Sequence, residues 1–114
     1  GSFERRNLLT GDHWSVPRAR AAADALLSEH PRRDGLVLLG AKVAEAFYIA
    51  VQENICVTRE MPVGNCNPCM RLTLVIPHPS GLSRVWNKKG MAERVKAAVE
   101  WVRGHSAAHE VAQG

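Results

Sequence analysis

Apolar residues along this chain occur either in short unbroken runs or at helical spacing. The run 36–39 lies between two glycines, and the run 72–76, in which Thr73 is the one polar residue, is closed by a proline. Unbroken apolar runs of this length are typical of strands that are buried on both faces of a parallel sheet. Residues 3–9 predict another short extended segment, which ends at a turn-prone Thr-Gly-Asp sequence.

Helical spacing of apolar residues predicts three helices. The first follows Ser15, a good N-cap, and ends at His30, because the residue before a proline is pushed out of the helical region. The second is predicted over about residues 42–52, directly after Gly40. The third is predicted over residues 91–103 and is stopped by a glycine.

The order of these elements predicts the fold class. Residues 53–71 carry no clear pattern and are predicted to be an irregular loop region, and residues 105–114 are predicted to be a frayed tail of small residues. Strands that alternate with helices predict one α/β domain over residues 1–114. We expect a three-layer α/β/α arrangement with a short, mainly parallel sheet. Ligands of such sheets bind beyond the carboxyl ends of the strands, where Asn7, Gly40 and residues 77–90 would lie.

Composition narrows the class of protein. The 114 residues are 46% hydrophobic and 23% charged, which fits one globular domain and excludes disordered, collagen-like and coiled-coil chains. No apolar run approaches the roughly 20 residues of a membrane-spanning helix, so we expect no membrane partner and a cytoplasmic location. Fifteen basic against eleven acidic residues give a net charge of +4, which permits a polyanionic partner without demonstrating one.

The segment after the strand 72–76 carries the most informative chemistry. His78 stands between two prolines, which restrict the backbone on both sides and hold the imidazole in place. The loop 82–90 that follows has three positive charges, no acid and two large apolar side chains. Such a mixture suits nucleic acid, because cations contact phosphates and an apolar side chain can enter a base stack. The cations are Arg84, Lys88 and Lys89, and the apolar residues are Leu82 and Trp86.

This segment resembles the second signature of the uracil-DNA glycosylase superfamily. That signature is a His-Pro-Ser turn after the last strand, followed by a loop that penetrates DNA, and residues 78–83 (His-Pro-Ser-Gly-Leu-Ser) match it. Two shorter stretches are similar in the same chain order. Residues 6–9 resemble the strand-end asparagine that reads a pyrimidine, and residues 36–40 with Lys42 resemble the strand before the helix that backs the pocket.

The resemblance implies a DNA partner and a role for each matched residue. We expect no cofactor. His78 would donate a hydrogen bond to a base oxygen and so stabilise the flipped base as it departs as an anion. Asn7 would pair with the edge of a uracil-like base, with Gly40 beside it. The other DNA-binding residues would contact phosphates or fill the space of the flipped nucleotide. They are Ser80, Gly81, Leu82, Ser83, Arg84, Trp86, Lys88 and Lys89.

The first signature of that superfamily is missing. It is a Gly-rich loop that carries the water-activating residue and should precede Asn7, but only six residues do so. Its segment is also a central strand in the family, so we expect a sheet that lacks this N-terminal strand. The chain is then a C-terminal fragment, or receives the strand from another chain, or is a reduced relative that binds nucleic acid or nucleotides without hydrolysis. Asp12 and Asp34 do not sit where the missing acid would.

The cysteines suggest an alternative function, that of a small metal- or redox-responsive protein. Cys66 and Cys69 have the spacing of half a zinc or iron-sulfur site, and Cys56 offers a third ligand. No fourth ligand is evident from spacing, and a strand rather than a helix follows Cys69, unlike a redox pair. Buried reduced thiols are therefore the main expectation.

The other histidines and two tryptophans are predicted to have structural roles. The histidines show no partner pattern and are expected at the surface, whereas the tryptophans are expected to pack against the core. These residues are His13, His30, His105, His109, Trp14 and Trp101.

Overall fold

The computed structural model describes residues 3–9, 14–30, 33–64, 69–76 and 90–112. Within these ranges the chain forms five strands and four helices. None of these helices has the length and apolar character needed to cross a membrane. In chain order the elements are β1 (Phe3–Asn7), α1 (Val16–Glu29), β2 (Gly35–Leu39), α2 (Ala41–Ala46), α3 (Val51–Asn54), β3 (Thr58–Val63), β4 (Cys69–Ile76), α4 (Met91–His105) and β5 (Ala108–Ala112).

The five strands form one sheet in the order β1-β5-β2-β4-β3. The first four run parallel to one another, and β3 pairs antiparallel with β4 at the edge. The mainly parallel sheet is as predicted. β5 lies between β1 and β2, since Ala108 aligns with both Phe3 and Gly35.

Helices cover both faces of the sheet. Leu36 and Leu38 of β2 pack with residues of α1 and α2, whereas Val37 and Leu39 pack with residues of α4. All four side chains are at most 3% exposed. The alternation follows from the two-residue period of a strand, and the unbroken apolar run reflects a strand covered on both sides. The α/β class with helices on both faces is therefore confirmed.

Helix α1 begins and ends where the sequence predicts. The Ser15 hydroxyl accepts a hydrogen bond from the backbone N–H of Arg18 at 3.4 Å, and Pro17 lies in the first turn. The helix stops at His30, whose φ of −124° and ψ of 140° are extended. This is the conformation that a following proline favours.

The second predicted helix is interrupted. α2 ends at Ala46 because Tyr48 adopts a left-handed φ of 64°. The N–H groups of Tyr48 and Ile49 donate to the carbonyls of Glu45 and Ala44 at 3.0 and 2.9 Å, a Schellman C-cap. Glycine usually occupies the left-handed position, so no residue type marks this break in the sequence.

The prediction of an irregular region over residues 53–71 is wrong in large part. It contains the end of α3, all of β3 and the start of β4. Met61 and Val63 of β3 are buried, with the exposed Pro62 between them. β3 is an edge strand, where a proline without an N–H is tolerated, and this proline obscured the pattern.

The prediction of a frayed tail over residues 105–114 is also wrong. α4 continues to His105, and β5 is an interior strand with Ala108 and Val111 fully buried. Backbone bonds hold both ends of β5, from Gly35 N–H to the Ala107 carbonyl and from Leu8 N–H to the Ala112 carbonyl, each 2.7 Å. The C-terminal segment thus forms an interior strand between β1 and β2.

Candidate functional site

The carboxyl ends of the four parallel strands meet along one side of the sheet, here called the carboxyl edge. Asn7 ends β1 and aligns with Ala112 of β5, while Leu39 of β2 aligns with Ile76 of β4. Gly40 follows β2, and its N–H donates to the carbonyl of Ile76 at 2.9 Å. Asn7 is exposed and therefore accessible from solvent at this edge.

Two strands, β5 and β2, separate Asn7 from Ile76. Neighbouring strands lie about 4.8 Å apart, so three steps put the ends of β1 and β4 about 14 Å from each other. Gly40 lies between them with a φ of 99°, a conformation that L side chains rarely adopt. At Gly40, between the ends of β1 and β4, no side chain therefore occupies the carboxyl edge.

The residues that carry the predicted DNA contacts follow β4 directly but lie outside the described residues. The flanks of the segment 77–89 are described. Ile76 ends β4, and Gly90 caps α4 with a φ of 82°. Met91 lies beside Cys56, whose backbone N–H donates to the carbonyl of Val75, so both flanks belong to the carboxyl edge. The predicted residues outside the described ranges are His78, Ser80, Gly81, Leu82, Ser83, Arg84, Trp86, Lys88 and Lys89.

A buried histidine-aspartate cluster lies at the opposite end of the sheet, here called the amino edge. Asp34 directly precedes β2, His109 is the second residue of β5, and His30 caps the end of α1. One nitrogen of His109, Nε2, is 2.8 Å from Oδ2 of Asp34, and Nδ1 of His30 is 4.0 Å from the same oxygen. The two imidazole rings stack with centroids 3.7 Å apart and an interplanar angle of 26°.

Arg71 holds the end of α1 against this cluster. Its Nη2 donates to the backbone carbonyls of Leu27 and His30 at 2.9 and 2.7 Å. The last carbonyls of a helix have no partner within the helix, so a cationic donor satisfies them and also complements the helix dipole. Arg71 is only 3% exposed, and it thereby fixes the backbone that carries the His30 ring.

The prediction that His30 and His109 lie at the surface without partners is wrong. His109 and Asp34 are 75 residues apart in the chain, and they meet only because β5 pairs beside β2. The four-residue spacing of His30 and Asp34 was the one local signal in the sequence. This spacing alone does not indicate a site, because the third member, His109, lies 75 residues beyond Asp34 in the chain.

The remaining aromatic predictions have mixed outcomes. Trp14 is partly buried against the core, as predicted. Trp101 is 47% exposed, so its predicted packing role is wrong, and it stacks on the exposed His105 with centroids 3.8 Å apart. His105 Nδ1 lies 2.8 Å from the Trp101 carbonyl, which accepts a hydrogen bond from it. His13 lies outside the described residues.

Cys56 is a buried thiol that donates from Sγ to the Met91 sulfur at 3.5 Å. Burial raises the pKa of this thiol, and the positive charge of Arg94 opposes that rise in part. A raised pKa disfavours the thiolate that a metal or a redox reaction needs. Cys69 begins β4 and Cys66 lies outside the described residues, so the cysteine metal site stays a prediction.

Comparison with known proteins identifies no relative of this chain. The chain matches no protein-family model, no curated protein and no solved structure. What the protein does has to be inferred from the two ends of its sheet.

Proposed function

We propose that the protein binds DNA and recognises a nucleobase at its carboxyl edge, as a relative of the uracil-DNA glycosylase superfamily. One observation carries the proposal: Asn7 and both flanks of the segment 77–89 belong to the same edge of a parallel sheet, with Gly40 between them. Parallel α/β sheets bind their ligands at this edge.

The spacing of the strands suits a base between the two recognition residues. About 14 Å separates the ends of β1 and β4, which is wide enough for a base between Asn7 and the segment that follows β4, to which His78 belongs. An asparagine amide offers both a donor and an acceptor, which match the O4 and N3–H edge of a uracil-like base. His78 would donate to another oxygen of that base, and Gly40 leaves room for it.

The segment 77–89 would supply affinity for DNA that does not depend on the DNA sequence. Arg84, Lys88 and Lys89 would contact phosphates, with Ser80 and Ser83 as further donors. Leu82 would fill the space that the flipped nucleotide leaves in the stack. Each phosphate contact that is removed is expected to reduce the slope of log affinity against log salt by about 0.9 on a duplex.

Base recognition is favoured over hydrolysis by the composition of the carboxyl edge. The residues that end the four parallel strands are Asn7, Ala112, Leu39 and Ile76, and none of these described residues is an acid that could activate water. Asp34 directly precedes β2 and lies at the amino edge, about 16 Å along this strand from Leu39. Hydrolysis is therefore measured separately from binding in the experiment below.

The test is binding of fluorescein-labelled oligonucleotides, single-stranded and duplex, with uracil or thymine at one position, measured by anisotropy over a range of salt. Preference for uracil that is lost in Asn7→Ala and in His78→Ala is the expected result. Lys88→Ala/Lys89→Ala should weaken binding to every oligonucleotide. The control Lys96→Ala/Arg103→Ala removes the same charge from exposed positions of α4 and should bind better than the loop variant.

Equal affinities of the loop variant and the charge-matched control would overturn the proposed DNA interface. If the loop variant binds DNA more weakly than the control but the parent protein does not prefer uracil, the DNA interface is retained and base recognition is excluded. Release of free uracil, measured by chromatography, would show that the protein also hydrolyses the bond between base and sugar. His78→Ala should then reduce the rate of release by orders of magnitude.

A further inference from the structure

The buried cluster at the amino edge brings together three side chains of the types that bind transition metals. Each of His30, Asp34 and His109 offers one ligand atom, and the three atoms lie within 4.8 Å of one another. No other group of three such side chains occurs in the part of the chain that the structure describes. His30 and Asp34 lie between α1 and β2, whereas His109 lies in β5, so the cluster of three depends on the tertiary fold.

We propose that His30, Asp34 and His109 bind one divalent transition-metal ion, with zinc as the first candidate. Two imidazole nitrogens and one carboxylate oxygen form a ligand set of intermediate softness, which suits zinc and also cobalt or iron, and disfavours magnesium and calcium. The site lies at the opposite end of the sheet from the proposed base-binding edge, so it is independent of that function.

The distances fit a zinc site after a small adjustment. Zinc binds nitrogen and oxygen at about 2.0–2.1 Å, so the ligand atoms of a tetrahedral site lie about 3.3 Å apart. The observed separations from Oδ2 of Asp34 are 2.8 Å to His109 and 4.0 Å to His30, one below and one above this value. The imidazole rings, which are stacked with centroids 3.7 Å apart, must also turn so that a nitrogen of each points at the ion.

Metal binding replaces the hydrogen bond between His109 and Asp34. The Nε2 lone pair of His109 then faces the metal, which requires the tautomer that carries its proton on Nδ1.

The scaffold holds the ligands in place before the metal binds. β5 is paired on both sides, which fixes the backbone of His109, and Asp34 is anchored at the start of β2. The guanidinium of Arg71 is hydrogen-bonded to carbonyls of α1 and fixes the backbone of His30. The side chain of His30 is 16% exposed, which leaves a route from solvent and room for water as a fourth ligand.

A bound ion would link α1, β2 and β5 at the amino edge. Three residues, about 10 Å along β5, separate His109 from Ala112 at the carboxyl edge, too far for the ion to contact a base there. The expected consequence is stabilisation of the fold, because an ion that binds only the folded chain shifts the unfolding equilibrium.

The experiment is titration of the full chain with Co²⁺, followed by visible absorption, with Zn²⁺ as competitor. Cys66→Ser/Cys69→Ser is titrated in parallel, so that any cysteine site is removed. We expect one equivalent of Co²⁺ to bind this variant, without the intense thiolate-to-cobalt absorption that cysteine ligands produce. Zn²⁺ should displace it and raise the melting temperature.

Substitution of a ligand separates the proposed site from adventitious binding. His30→Ala should weaken Co²⁺ binding by at least about 100-fold, beyond the roughly 10–100-fold loss that outer-shell substitutions cause. His105→Ala changes an exposed histidine outside the cluster and should bind as the parent does. Asp34→Asn is the second test, since it keeps a side chain of the same size and lowers metal affinity.

Three outcomes would overturn the metal site. The first is absence of Co²⁺ and Zn²⁺ binding while circular dichroism shows a folded chain. The second is loss of all binding in Cys66→Ser/Cys69→Ser. The third is unchanged binding in folded His30→Ala and Asp34→Asn. The DNA-binding assays report on the carboxyl edge separately, so failure of one proposal leaves the other intact.

Discussion

His109 and Asp34 form a hydrogen bond of 2.8 Å between two buried side chains that join the start of β5 to the start of β2. β5 and β2 are already paired through their backbones, so this contact adds a side-chain link at the point where the C-terminal strand enters the sheet. A buried polar group that loses its partner retains the cost of its desolvation.

Asp34→Ala should therefore lower the free energy of unfolding by about 1–3 kcal/mol. Asp34→Asn should cost less, because an amide oxygen can still accept from His109. Urea denaturation followed by circular dichroism gives both values, with metal removed by a chelator. Glu100→Ala, an exposed acid of α4, is the control and should change stability by less than about 0.5 kcal/mol. An equal effect of the Asp34 and Glu100 substitutions would show that the contact does not form.

Val111→Asp tests whether the C-terminal segment is part of the core. Val111 is fully buried in β5 and packs with residues of α1 and α2. An unpaired charge at this position is strongly destabilising, so we expect loss of cooperative unfolding or of soluble protein. Gln52→Asp introduces the same side chain at an exposed position and should unfold as the parent does. A stable Val111→Asp variant is the result expected of a frayed tail.

The position of β5 marks the limit of what the sequence predicts. The strands β2 and β4 and the helices α1 and α4 follow from apolar runs, helical spacing and capping residues, because these signals are local. β5 has no such signal. Its sequence Ala-His-Glu-Val-Ala contains two polar residues that are buried only in the folded sheet.

The two candidate sites also differ in how far the sequence alone predicts them. The carboxyl edge follows from element order alone, because Asn7 and the end of β4 lie at strand ends that any parallel sheet aligns. The cluster of His30, Asp34 and His109 requires the pairing of β5 with β2, a contact between distant parts of the chain. Periodicity within a short window cannot reveal such a contact.

Cys56 should be slow to alkylate in the folded protein. Burial raises its thiol pKa, so less thiolate is present at a given pH than in the unfolded chain. A pKa that is higher in the folded state also means that stability is greatest below the ordinary thiol pKa of about 8.5 and declines as pH rises above it. Mass spectrometry after a pulse of iodoacetamide should show much faster labelling of the Cys56 peptide in urea. Equal rates in buffer and urea contradict the buried position.

Arg6, within β1, forms an ion pair with Glu29, the last residue of α1. The Arg6 guanidinium lowers the pKa of the Glu29 carboxyl, through a hydrogen bond first and charge second. The contribution of the pair is therefore present above the ordinary pKa of 4.5 and is lost as pH falls below it. A double-mutant cycle with Arg6→Ala and Glu29→Ala should give a coupling at neutral pH that salt weakens and acid removes. A coupling that persists in acid would exclude an ionic origin.

Two glycine substitutions should change stability in opposite directions. A Cβ on Gly35 in β2 would lie 2.9 Å from Oγ of Ser106 and 2.9 Å from Cγ1 of Val102, whereas a Cβ on Gly104 in α4 would meet nothing within 4 Å. Gly35→Ala must therefore displace the side chains of Ser106 and Val102 and should cost about 1–3 kcal/mol. Gly104→Ala replaces a flexible helical residue and should stabilise by about 0.5–1 kcal/mol. Thermal melts of both variants measure the difference, and a Gly35→Ala protein as stable as Gly104→Ala would contradict the close approach of α4 to the start of β2.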